Sequence, residues 1–211
     1  MDSSKKLYIL IGVLVLAVLV ISLVVFFSRE KSSQVGEEES KTSVCPEQIN
    51  YQEVDYKVVE IKGKCWLAEN LKTTNYRDGT AIPELTNSAE WAKDEQGAYT
   101  CYYNSEQNRQ EYGALYNWYA VNNEKGLCPE GWSVPTTEQW SEAEKYDFGT
   151  TFSGFRNSAG PYDFLNERGF WWTSTPSGDF AFARVMDKES GEMRHIESGK
   201  SSGFNVRCVM D

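Results

Sequence analysis

Residues 7–27 (LYILIGVLVLAVLVISLVVFF) run for 21 positions without a single charge. As a helix rising about 1.5 Å per residue, this run extends roughly 32 Å, the thickness of a bilayer's hydrocarbon core. It therefore reads as one transmembrane helix in contact with the lipid bilayer, preceded by a short cytoplasmic tail, residues 1–6. A cleaved signal peptide has an apolar region of about 7–15 residues that ends at small residues. Here the run closes on Val25-Phe26-Phe27-Ser28-Arg29, with no Ala-x-Ala-like site, and reads as an uncleaved signal-anchor. Lys5 and Lys6 before it are balanced by Arg29 and Lys31 after it, so flanking charge does not orient the span.

The cysteines orient it instead. All five, Cys45, Cys65, Cys101, Cys128 and Cys208, follow the span. None forms a Cys-x-x-Cys pair and the single histidine is His195, which disfavours a zinc site or a thioredoxin-like motif. Scattered cysteines behind a membrane anchor point to disulfides in an oxidising compartment. The expectation is a single-pass protein of the cell membrane, with its N-terminus in the cytoplasm and its C-terminal domain outside.

Residues 28–44 (SREKSSQVGEEESKTSV) hold too little apolar surface to offset chain entropy and read as a flexible stalk. Residues 45–211 have the length of one domain burying roughly 70% of its unfolded surface. They also carry 16 basic and 26 acidic side chains, hence the entire net charge of −10, because the first 44 residues hold five of each. Such a field repels phosphate backbones and excludes nucleic acid as a partner.

Within this domain, residues 54–61 (VDYKVVEI) are β-branched and aromatic, and the turn Lys62-Gly63-Lys64 leads to a second short strand over residues 65–71. Ser88 is placed to cap a helical turn reaching Trp91, and residues 98–103 read as a strand. Leu115, Trp118, Tyr119 and Asn122 recur at helical spacing, with Tyr112 one turn earlier, so residues 111–122 are expected to form a core-facing helix despite Gly113. A second helix is expected over residues 137–146, capped by the Thr136…Gln139 reciprocal pattern. From residue 150 the helical period vanishes. Residues 169–175, 180–186, 192–196 and 203–210 read as a meander of four antiparallel strands, the last closing it.

Several pieces, in order, resemble the Fibrobacter succinogenes major paralogous domain, a bacterial family common on secreted and surface-attached proteins. They are KCWLAENLKTT (64–74), YRDGTAIP (76–83), YGALYNWYAV (112–121), LCPEGWSVPT (127–136), GFRN (154–157), WWTST (171–175) and VRCV (206–209). The segment before Gly154 is shorter than that family's usual glycine-rich loop. The resemblance implies an α+β fold related to C-type lectin-like domains and the formylglycine-generating enzymes, with two helices beside a small twisted antiparallel sheet. It also implies a Cys128–Cys208 bridge between the turn before the second helix and the last strand. Cys45 and Cys65 pair across the first strands in the preferred reading, with Cys65–Cys101 the competing one, which leaves Cys101 or Cys45 over.

Calcium is the cofactor such lectin-like folds bring to mind, and Asp163, Asn166, Glu167 and Asp179 could supply hard oxygens. The Glu-Pro-Asn and Trp-Asn-Asp signatures of calcium-dependent sugar binders are absent from the sequence, so a solvated acidic face is preferred and no cofactor is assigned. No catalytic residue is assigned either. The formylglycine-type relatives use a cysteine pair near the C-terminal part, where this chain has only Cys208. Trp66, Trp118, Trp132 and Trp140 are assigned to the core. Trp171 and Trp172 face opposite sides of a strand, so only one need be buried. Tyr162, Asp163, Trp171, Trp172 and Asp179, around the loops of residues 157–178, form the expected ligand face. The function expected is non-catalytic binding of a surface glycan or protein ligand. An enzyme remnant and a structural component of an envelope assembly are the competing readings.

Overall fold

A computed structural model of the chain describes residues 45–143 and 151–211. The tail, the expected span of residues 7–27, and the stalk lie outside the described residues. Among the described residues no helix is long and apolar enough to cross a membrane.

The domain is built mainly from strands. The first sheet contains β1 (Gln48–Tyr51), β2 (Val54–Ile61), β3 (Lys64–Leu67), β6 (Trp132–Ser133) and β12 (Val209–Met210), in the order β1-β2-β3-β12-β6. The second contains β7 (Ser153–Arg156), β8 (Tyr162–Leu165), β9 (Arg168–Ser177), β10 (Phe180–Asp187) and β11 (Met193–Gly199), in the order β11-β10-β9-β7-β8. A two-stranded ribbon joins β4 (Tyr99–Thr100) to β5 (Leu115–Tyr116). Four short α-helices, α1 (Ser88–Trp91), α2 (Glu106–Tyr112), α3 (Trp118–Val121) and α4 (Thr137–Ala143), and a 3-10 turn at Tyr102–Asn104 lie among the described residues.

This corrects the expected α+β C-type lectin-like architecture of two helices and one small sheet. The helix foreseen over residues 111–122 is broken into three pieces. Gly113 has φ +86°, and a Cβ there would stand 2.5 Å from Asn70 Cβ, so the chain leaves the helix at this point. Residues 115–116 then pair as β5, and Asn117 caps α3 by accepting from Ala120 N at 3.0 Å. The apolar residues read at helical spacing are instead spread over a helix end, a strand and a new helical turn. The meander also ends differently. β9, β10 and β11 are consecutive and antiparallel, but β12 crosses to the first sheet and pairs with β3 and β6.

Between those sheets runs the buried segment of residues 203–208, which bonds to whichever backbone lies beside it. Phe204 exchanges bonds with Tyr116 at 2.8 and 3.0 Å, Asn205 accepts from Trp172 N at 3.0 Å, Val206 from Leu71 N at 2.8 Å and Cys208 from Leu67 N at 2.9 Å. These bonds pair backbone groups of the segment inside the core, where burial would otherwise leave them costly. Two disulfides clamp its surroundings: Cys128–Cys208 closes a separation of 80 residues and Cys45–Cys65 one of 20. By chain entropy the longer loop stabilises by roughly 4 kcal/mol and the shorter by about 3 kcal/mol. Cys101 is the free, buried cysteine.

Trp66, Trp118, Trp132 and Trp140 are all core residues. Trp140 lies 5.2 Å from Trp66 and 5.9 Å from Trp171 between ring centroids. The helix start after Val134-Pro135 has the reciprocal cap: Thr136 N donates to Gln139 Oε1 at 2.8 Å and Gln139 N donates to Thr136 Oγ1 at 3.3 Å.

Candidate functional site

The expected ligand face divides when placed on the fold. Trp171 and Trp172 are both buried, which removes them from any binding surface. The alternation argument allowed one ring to be exposed, but this sheet is covered on both sides. Trp171 packs against Trp140 and donates from Nε1 to Asn70 Oδ1 at 2.8 Å. Trp172 lies on the other side, 4.3 Å from the Phe204 ring, and donates to the Tyr116 carbonyl at 2.8 Å. Asp163 is exposed on β8. Asp179 is exposed in the β9–β10 turn, where its charge acts on Tyr119. Among the described residues no three His, Cys, Asp or Glu side chains converge as metal ligands.

Tyr162 leads to a different set of neighbours. Its ring lies 5.2 Å from Tyr102 and 5.6 Å from Tyr103, edge-on to the latter. Its hydroxyl donates to Asn104 Oδ1 at 2.6 Å and lies 2.9 Å from Thr100 Oγ1. Beneath it sits the Arg156 guanidinium, 5.2 Å from the Tyr162 ring centroid and 4.5 Å from that of Trp91. Arg156 is fully buried, donates to the carbonyls of Leu85, Thr86 and Gly160, and has its pKa pulled down by desolvation.

Tyr103, which the sequence reading placed in a strand, stands at the centre of this ledge. It is 67% exposed, and it and Asn104 have φ of 53° and 55°, in the left-handed region that side chains other than glycine seldom adopt. The one local signal was Asn104, since Asn tolerates that region better than most residues. Nothing in the alternation of residues 98–103 marks the turn that follows Thr100.

The nucleophiles are poorly arranged for chemistry. Burial first, and then the Glu84 carboxylate, push the Cys101 thiol up to about 12, so it is protonated at neutral pH. Ser141 Oγ lies 3.3 Å from His195 Nε2, but its proton goes to the Thr137 carbonyl at 3.0 Å while Arg184 donates to the same oxygen at 2.6 Å. That hydroxyl is anchored to its own helix, with no proton directed at the imidazole as a general base requires.

An open cleft of about 610 Å³ lies between the β1–β2 turn and residues 72–75, with Lys72 and Arg109 on its wall. Both cations are already engaged, Lys72 with Glu69 at 3.1 Å and Arg109 with Glu106 at 2.5 Å. A second open cleft, of about 590 Å³, lies beside α3.

These features define a disulfide-clamped, strand-rich domain whose surface presents an oriented aromatic ledge and polar clefts. Residues 59–151 match the family model of the Fibrobacter succinogenes major domain. The similar pieces after residue 151 lie outside the matched segment. No curated protein and no solved structure matches the chain.

Proposed function

We propose that residues 45–211 form an extracytoplasmic, non-catalytic binding module, held at the cell membrane by residues 7–27 and a stalk, that recognises a surface glycan or protein ligand. The observation that carries this reading is Tyr103, an aromatic ring 67% exposed on left-handed backbone. Left-handed geometry costs roughly 1–2 kcal/mol per residue, and a ring left in water returns nothing to the core. Tyr102 and Tyr162 hold the ring from the side, which lowers the entropy lost when a ligand settles on it. A tyrosine offers an apolar face and a hydroxyl with few rotatable bonds, which suits both sugar rings and protein surfaces. The protonated Cys101 and the anchored Ser141 hydroxyl support a non-catalytic role.

Binding of the full-length chain to a glycan array and to whole cells is expected to fall at least tenfold in Tyr103→Ala, with the melting temperature unchanged. Equal binding by the two proteins would overturn the reading.

A further inference from the structure

The cleft beside α3 has rigid walls and a lining of distinct chemistry. One wall is the turn of residues 94–97, the other the end of α3 with residues 122–125, and Thr80, Ala81 and Pro83 close a third side. The frame is tied from within. Asp94 Oδ2 accepts from Gly97 N at 3.0 Å and from Asn117 Nδ2 at 2.7 Å. Asn117, fully buried, accepts with its own oxygen from Ala98 N and Ala120 N, both at 3.0 Å. Asn123 spans the walls, accepting from Lys125 N at 3.1 Å and donating to the Gln96 carbonyl at 3.4 Å. The half-buried Asp94 and the buried Asn117 thus fix both walls, so a ligand entering the cleft would order little of the protein.

The lining itself is two aromatic rings, the buried Tyr76 and the half-buried Tyr119, among amides and carboxylates. Tyr119 and Asn122 stand three residues apart on α3 and its cap, hence on one face. Around them are the exposed carboxylates of Glu95 and Glu124, the amide of Gln96 and the ammonium of Lys125. Amides and carboxylates bond neighbouring hydroxyls through two atoms at once, and an aromatic ring covers the C–H face of a pyranose. A cleft of about 590 Å³ has room for more than one sugar ring. Its two carboxylates against one ammonium, within a domain of net charge −10, disfavour an acidic ligand. Ala81 and Pro83 are the aliphatic side chains of the lining, which offers a peptide little for an apolar anchor.

The geometry points to this cleft as a saccharide-binding site, selective for neutral or amine-bearing sugars over acidic ones, with Tyr119 stacking and Asn122, Glu95 and Glu124 bonding the hydroxyls or amine. It extends the binding reading above to a second surface that shares no residue with the Tyr103 ledge.

The test is calorimetric titration of the full-length chain with four probes: chitotetraose, a chitosan tetramer, tetragalacturonate and tetralysine. The two amino-sugar oligomers are expected to bind and tetragalacturonate to bind at least tenfold more weakly. Tyr119→Ala and Asn122→Ala are each expected to weaken binding at least tenfold. Glu124→Gln should weaken the chitosan tetramer more than chitotetraose. Asn122 and Glu124 are exposed, so these variants keep the fold, with the melting temperature as the check. No binding by either amino-sugar oligomer, binding by tetralysine alone, or full affinity in both Tyr119→Ala and Asn122→Ala would overturn the site. Tyr103→Ala is expected to leave these affinities unchanged, so loss of the ledge and loss of the cleft are read separately.

Discussion

Arg156 is a buried cation held by oxygens that carry no full charge. Its three acceptors, the carbonyls of Leu85, Thr86 and Gly160, belong to loops with no regular partners for them, and its plane is covered by Trp91 and Tyr162. Arg156→Leu removes the donor from all three carbonyls and leaves the buried Gly160 one unpaired, at about 1–3 kcal/mol for that group. Arg156→Lys lacks the planar fork and is expected to rescue little. Urea unfolding should show both variants destabilised by at least about 1 kcal/mol. Cys101 sets a pH limit on the same region. Its folded pKa, pushed up to about 12 chiefly by burial, exceeds the unfolded value near 9, so the folded state holds the proton more tightly. Its stabilising effect is complete below about pH 9 and is lost as pH rises through about 12. Alkylation of native protein by iodoacetamide at pH 8 is expected to be slow, and one thiol should react promptly once urea unfolds the chain.

At the level of elements, the readable ones were those whose signals are local. The strand of residues 54–61 is found at its expected bounds because its β-branched residues sit between turn residues. The start of α4 is found because its cap is a reciprocal pair three residues apart. Residues 111–122 failed for the opposite reason. Leu115, Trp118, Tyr119 and Asn122 match a helical period by position, yet Gly113 and Asn117 divide them and the ladder to Thr100 claims Leu115. Gly113→Ala tests this directly. A side chain there is strained at φ +86° and meets Asn70, so a loss of about 1–3 kcal/mol in thermal or urea unfolding is expected. If the helix were continuous, the same change would stabilise it by about 1 kcal/mol.

For the whole molecule, the apolar run of residues 7–27 makes a prediction independent of the domain. The full-length chain is expected to remain in the membrane pellet after alkaline carbonate washing, and deletion of residues 7–27 should release it. Recovery of the intact chain in the carbonate supernatant would remove the anchor from the proposed function. Thiol labelling of intact cells after reduction should reach Cys45, the half-buried member of the two bridges, only if the domain faces outward.

Residue order alone determined the apolar run, the acidic domain, the tryptophans of the core and the reciprocal cap, because each depends on charge, bulk or spacing within a few positions. The candidate surface was only partly legible. Tyr162 and Asp163 were marked and remain accessible, whereas Trp171 and Trp172 were marked and are interior. Tertiary structure decided that difference, since alternation along a strand says which way a ring points and not what covers it. It also decided the course of residues 203–208, whose hydrogen-bond partners lie 88 to 141 positions away in sequence for Tyr116 with Phe204 and Leu67 with Cys208. Tyr103 became a ledge for the same reason: its ring is flanked by Tyr162, a residue of β8 that no local pattern could bring beside it.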